Sequence, residues 1–157
     1  NTVSYKNFDL YVFFRFSGGN KIMNASRQSA LFNMDFSNNG TEILGRWVSP
    51  EQPGDGMTPK IGYGDASSLF KDGYTDSHFV ESGNYLKLST LALGYTLPKA
   101  VVSRLNMTKI RFYVQGQNLL TITGYSGLDP ETNSRLGVDW NGMPQQRSFT
   151  FGANITF

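Results

Sequence analysis

Ser148-Phe149-Thr150-Phe151-Gly152-Ala153-Asn154-Ile155-Thr156-Phe157 alternates without a break. Phe149, Phe151, Ala153, Ile155 and Phe157 fall on one side of an extended chain, and the residues between them fall on the other. Successive side chains of a strand point to opposite faces, so this stretch predicts a strand with one continuous apolar face. Three more segments share the period. Phe8, Leu10, Val12, Phe14 and Phe16 oppose Asp9, Tyr11, Phe13, Arg15 and Ser17, with Tyr11 and Phe13 blurring the second face. Ile110, Phe112 and Val114 oppose Arg111, Tyr113, Gln115 and Gln117. Between Tyr85 and Leu97 the parity changes: Leu86 and Leu88 share one face, while Leu91, Leu93, Tyr95 and Leu97 share the other. A β-bulge near Ser89 and Thr90, or a change of partner there, reconciles the two sets.

Each segment has about ten residues, the length a tilted strand needs to cross a bilayer. The connections between them are unequal. Gly18 to Asn84 is long and rich in Gly, Asn, Ser and Pro; Pro98 to Met107 is short; Thr121 to Gln146 is long again, with Gly124, Gly127, Pro130, Gly137, Gly142 and Pro144 as turn signals. Long extracellular loops and tight periplasmic turns give outer-membrane barrels this rhythm. The expected fold class is therefore all-β, a transmembrane antiparallel β-barrel fragment of four strands with its chain end on the periplasmic side. A long structureless stretch also counts against a compact soluble domain. The competing reading is a soluble β-sandwich, whose outer face usually collects Lys, Glu and Thr. Here the polar faces hold mainly Ser, Thr, Asn, Gln and Tyr.

Composition agrees with an unusual packaging of apolar surface. Of 157 residues, 39% are hydrophobic and 14% aromatic, but only 17% are charged. A mean hydropathy of -0.33 fits barrel strands, because apolar and polar residues alternate and average out. The net charge of +2 and the scatter of Lys and Arg along the sequence leave no footprint for nucleic acid. The absence of cysteine excludes disulfides, thiolate zinc sites and cysteine nucleophiles. No apolar run approaches the roughly 18 residues of a spanning helix. The chain opens on Asn1, already in a strand approach, and reads as a fragment or mature product of a longer protein.

No catalytic constellation stands out, so the chain reads as non-enzymatic. His78 is the lone histidine and has no evident catalytic partner. Asp129 and Glu131 are weak candidates for calcium, which wants six or more oxygens; Asp129-Pro130 also reads as an ordinary turn. Gly62-Tyr63-Gly64 and Gly116 lack the strand-to-helix setting of a phosphate loop. Arg111, Tyr113, Gln115 and Gln117 are expected to face a barrel lumen. Phe149, Phe151, Ala153, Ile155 and Phe157 are expected to face lipid. Trp47, Tyr74, Tyr125 and Trp140 fall in the long connections, where exposed aromatics could stack on sugar rings, dock a partner or anchor at the membrane interface. A terminal aromatic such as Phe157, closing an alternating strand, resembles the recognition signal of barrel assembly, in which an exposed strand edge is captured by β-augmentation.

Longer motifs point to a family. Glu81-Ser-Gly-Asn-Tyr-Leu-Lys-Leu-Ser-Thr-Leu-Ala-Leu-Gly-Tyr-Thr-Leu-Pro98, Ile110-Arg-Phe-Tyr-Val-Gln-Gly-Gln-Asn-Leu-Leu120, Gly124-Tyr-Ser-Gly-Leu-Asp-Pro-Glu131 and Pro144-Gln-Gln-Arg-Ser-Phe-Thr-Phe-Gly-Ala-Asn-Ile-Thr-Phe157 resemble SusC/RagA outer-membrane proteins in order and spacing. Tyr5-Lys-Asn-Phe-Asp-Leu10 is similar to a preceding barrel strand of that family; the likeness is weaker between Met23 and Ser77. The resemblance implies that residues 1–157 are the C-terminal portion of a TonB-dependent receptor barrel of about 22 strands, with the plug domain absent. It also implies import of glycans or peptides across the outer membrane of Bacteroidetes. The implied partners are a SusD-like surface lipoprotein as lid, the TonB complex acting on an upstream region, outer-membrane lipid, and the remaining barrel and plug. No cofactor and no nucleic acid is implied. A passive porin or structural barrel shares the strand pattern, and a soluble β-sandwich binding module stays as the third reading.

Overall fold

The computed structural model of the chain describes residues 1–32, 38–60, 77–131 and 136–157, with the backbone alone at 29–32. Its strands are β1 (Thr2–Tyr5), β2 (Phe8–Ser17), β3 (Lys21–Asn24), β4 (Val80–Ser82), β5 (Tyr85–Thr96), β6 (Lys109–Thr123), β7 (Val138–Asp139) and β8 (Ser148–Thr156). The chain divides into two compact units. One comprises residues 1–20, 83–124 and 144–157, the other residues 21–82 and 125–143.

The first unit is a five-stranded antiparallel sheet in the order β1-β2-β5-β6-β8. All four alternating segments are strands. The fifth, β1, corrects the expected count: Tyr5 and Phe8 pair directly around the turn residues Lys6 and Asn7, and Lys6 adopts a left-handed φ of 55°. That turn folds back what reads in the sequence as a single opening strand.

Paired residues of neighbouring strands share a face, so the register assigns both faces. Phe8, Leu10 and Val12 lie opposite Tyr95, Leu93 and Leu91, and Phe14 and Phe16 lie opposite Leu88 and Leu86. The register shifts between Phe13 and Phe14 on β2 and between Leu88 and Thr90 on β5. Ser89 is the extra residue, and this bulge keeps every leucine of β5 on one side despite the change in parity. The apolar face continues through Phe112, Val114, Leu120 and Ile122 of β6 to Phe149, Phe151, Ala153 and Ile155 of β8. Both long connections leave the same end of the sheet, where Ser17 pairs with Tyr85 and Tyr85 with Thr123. The opposite end carries the Lys6-Asn7 turn and the short link, a one-turn helix at Lys99–Val102 followed by a 3-10 turn at Ser103–Leu105. Hydrogen bonds of 2.8 Å, from Thr96 N–H to the Asn7 carbonyl and from Thr108 N–H to the Thr156 carbonyl, close this end.

The expected structureless stretch after Gly18 is corrected, because much of it folds into the second unit. There β3 pairs antiparallel with β4 and parallel with β7, which joins Met23 to Val138. Asn24 caps helix α1 (Ala25–Phe32), its Oδ1 accepting the Arg27 N–H at 2.9 Å. Ile22 and Phe79 are fully buried and supply its core. No described helix is long and apolar enough to cross a membrane.

Candidate functional site

On the polar face of the first unit, Arg111 of β6 reaches across β5 to Asp9 of β2. Its Nε donates to Asp9 Oδ1 at 2.9 Å and its Nη2 to Oδ2 at 2.5 Å. The strand between them presents Gly94 at the crossing, and a Cβ there would fall on the guanidinium and the Asp9 carboxylate. The Arg111 guanidinium also stands 5.3 Å from the Tyr113 ring centroid, within cation–π range. Tyr113 in turn covers Gly152 of β8, where a Cβ would meet the Tyr113 ring carbon Cζ at 2.5 Å. Two glycines thus let an arginine and a tyrosine lie flat over neighbouring strands, leaving a paired, hydrogen-bonding surface.

The residues expected to share this face do so. Arg111, Tyr113, Gln115 and Gln117 pair with Asn154, Gly152, Thr150 and Ser148 of β8. Phe149, Phe151, Ala153 and Ile155 occupy the other face, and Phe157, just past β8, continues their parity. That face is open: Phe16 is 82% exposed and Phe151 78%. Contiguous exposed apolar surface on this scale marks contact with something other than water.

In the second unit Glu81 is a hub that the sequence reading passed over. It accepts the Ser126 N–H at 2.8 Å, the Ser126 hydroxyl at 2.7 Å, the Asn24 amide at 3.2 Å and Arg27 Nη1 at 3.4 Å. Burial pushes its carboxyl up, but these donors outweigh burial and hold it below the ordinary range. Arg27 also forks onto Glu42, its Nε donating at 2.9 Å and its Nη2 pairing with the second oxygen; this lowers the Glu42 carboxyl too. His78 packs edge-on to Phe79, and its Nε2 lies 3.3 Å from Arg27 Nη2. An open recess of about 370 Å³ borders this cluster, lined among others by Asn24, Arg27, Glu42, Leu128 and Asp139.

The loop aromatics separate. Trp140 is 75% exposed and Trp47 37%. Tyr125 departs from the expected exposure: it is buried, and its hydroxyl donates to Asp139 Oδ2 at 2.6 Å. Burial and that neighbouring carboxylate push the Tyr125 hydroxyl far above its usual range. Asp139 Oδ1 accepts the N–H groups of Asn141 and Gly142, so the pair fastens a turn instead of presenting a ring. Asp129 is buried and accepts the Glu131 N–H at 3.0 Å, the geometry of an Asx turn. Among the described residues no group of three or more metal-ligating side chains converges. Tyr74 and Gly62-Tyr63-Gly64 lie outside the described residues.

Comparison with known proteins places this geometry. No family model matches the chain. It is 31% identical over 167 residues to TonB-dependent receptor P3 of Formosa agariphila, an alignment covering 100% of this chain and 16% of the relative. It is 26% identical over 171 residues to TonB-dependent receptor SusC of Bacteroides thetaiotaomicron, covering 99% of this chain and 14% of SusC. The solved RagAB peptide transporter superposes with a TM-score of 0.81 at 27% identity, covering 98% of this chain and 16% of that one. The chain therefore spans about a sixth of the proteins it matches.

Proposed function

Because this chain is a relative of the SusC-type TonB-dependent receptors, we propose that residues 1–157 form the C-terminal portion of the barrel domain of an outer-membrane nutrient importer. One observation carries the reading: an exposed apolar face that runs over all five strands and is kept continuous by the bulge at Ser89. A lipid-facing wall needs such a face, with every backbone group paired within the sheet. In a closed barrel of about 22 strands, Phe149, Phe151, Ala153, Ile155 and Phe157 meet lipid. Arg111, Tyr113, Gln115 and Gln117 turn to the lumen and the plug. The two long connections are extracellular and Pro98–Met107 is periplasmic. The free edges of β1 and β8 are those that the rest of the barrel pairs. The assembly role read for Phe157 belongs to the same proposal.

As an importer the whole protein works with a SusD-like lipoprotein lid and draws energy from the TonB complex through a region upstream of this chain. The cargo is a glycan or a peptide; the RagAB comparison supports the second of these. Trp47 and Trp140, exposed in the outer connections, are the side chains proposed to meet lid or cargo. Uptake of labelled oligosaccharide and oligopeptide pools by cells carrying the full-length protein tests the reading. Energised import requires that uptake collapse with a protonophore or with loss of TonB. Uptake indifferent to both would make the protein a passive porin.

A further inference from the structure

The charges that look scattered along the sequence are segregated by the fold. The first unit holds eight of the 14 basic residues and one of the 12 acidic ones, Asp9, a formal charge of +7. The second holds the remaining six basic and eleven acidic residues, a formal charge of -5. Within the first unit Asp9 is taken up by Arg111. Three of the other cations, Lys6, Lys99 and Arg104, lie in the turns at the short-turn end of the sheet, and all three are exposed; Lys109 begins β6 at that end but shares the polar face of Arg111. Among the described residues none of the three forms an ion pair.

Apolar groups accompany these cations. In the short link Val102 is buried, whereas Val101 is 45% exposed and Leu105 53%. Lys6 Nζ stands 5.4 Å from the ring centroid of exposed Tyr5. Long basic side chains beside exposed aliphatic and aromatic groups suit the boundary between acyl chains and headgroups, where the stem stays in apolar surroundings and the charge reaches outward.

We propose that this short-turn end is a binding surface for the headgroup phosphates of anionic phospholipid in the adjoining leaflet. The inference rests on the membrane reading above. The cations come from two separate turns at one end of the sheet, which matches a layer of phosphates rather than one pocketed ion. Each basic residue near an anionic surface raises affinity about five-fold, an effect confined to roughly a Debye length.

The test uses the full-length protein reconstituted in phosphatidylcholine bilayers containing spin-labelled phosphatidylglycerol or spin-labelled phosphatidylcholine. Folding is checked by heat-modifiable gel mobility. The wild type is expected to hold phosphatidylglycerol at its boundary several-fold over phosphatidylcholine. Lys6→Gln/Lys99→Gln/Arg104→Gln is expected to bring that ratio close to one, whereas Lys6→Arg/Lys99→Arg, Lys109→Gln on the polar face and Arg147→Gln keep it. Inorganic phosphate at matched ionic strength should leave the ratio unchanged. A wild type without preference, or a triple variant that retains it, overturns the proposal; erasure by phosphate alone would make this a free-anion site. Failure of the folded protein to enter either bilayer would instead overturn the membrane reading itself.

Discussion

Asp9 and Arg111, 102 residues apart in the chain, meet in a two-point ion pair that spans the strand between them. Their side chains are 28% and 22% exposed, so solvent screens the pair only in part. It ties β2 to β6 independently of the backbone ladder. A double-mutant cycle with Asp9→Asn and Arg111→Gln, read from urea unfolding of the full-length protein, is expected to give a coupling of about 1 kcal/mol, the upper range for partly exposed pairs. A coupling indistinguishable from zero would mean that the pair is incidental.

Gly94 is the condition for that pair. Gly94→Ala puts a methyl group where the guanidinium and carboxylate lie, and overpacking of this kind costs about 1–3 kcal/mol. The loss should exceed that of Arg111→Gln alone. In an Asp9→Ala/Arg111→Ala background the same substitution should be nearly silent. Equal losses in both backgrounds would place the strain elsewhere.

Glu81 makes the second unit sensitive to acid. Its carboxyl and that of Glu42 are held below the ordinary value of 4.5 when folded. A depressed carboxylate contributes stability above its unfolded pKa and loses it as pH falls through the folded one. Hydrogen exchange at Asn24, Arg27 and Ser126, corrected for intrinsic rates, should therefore be slow near neutrality. Protection should weaken progressively below about pH 4.5. Glu81→Ala should show weakened protection at neutral pH and little further change on acidification. Wild-type protection that is flat down to pH 3 would remove Glu81 as the hub.

The period of two in Phe149 to Phe157 and Phe8 to Phe16 was enough to read strands and faces, because side-chain direction in a strand depends on local sequence alone. The break between Leu88 and Leu91 announced a bulge or a change of partner near Ser89 and Thr90, and the register makes it a bulge at Ser89. What escaped depends on pairing. Nothing near Asp9 in the chain announces Arg111, and the need for glycine at positions 94 and 152 appears only once the register sets them beneath Arg111 and Tyr113. The second unit was illegible for the same reason. Glu81, Asn24 and Ser126 come from three distant segments, and the two-residue strand β7 carries no period to detect. Tyr125 looked like an exposed loop ring because its partner, Asp139, lies 14 residues away.

Sidedness can be checked on whole cells carrying the full-length protein. Met143→Cys, at a site 81% exposed in the second long connection, should react with a membrane-impermeant maleimide. Ser103→Cys, in the short link, should stay unlabelled until the outer membrane is permeabilised. Reversed labelling would invert the proposed orientation.

The most direct measurement scans β8 itself. Spin labels placed singly at residues 149 to 155 in the full-length protein, reconstituted in bilayers, report access to oxygen, which partitions into lipid, and to a water-soluble nickel complex. Oxygen access is expected to alternate with a period of two, high at Phe149, Phe151, Ala153 and Ile155 and low at Thr150, Gly152 and Asn154. The opposite phase, or uniform access to the nickel complex, would contradict a lipid-facing wall.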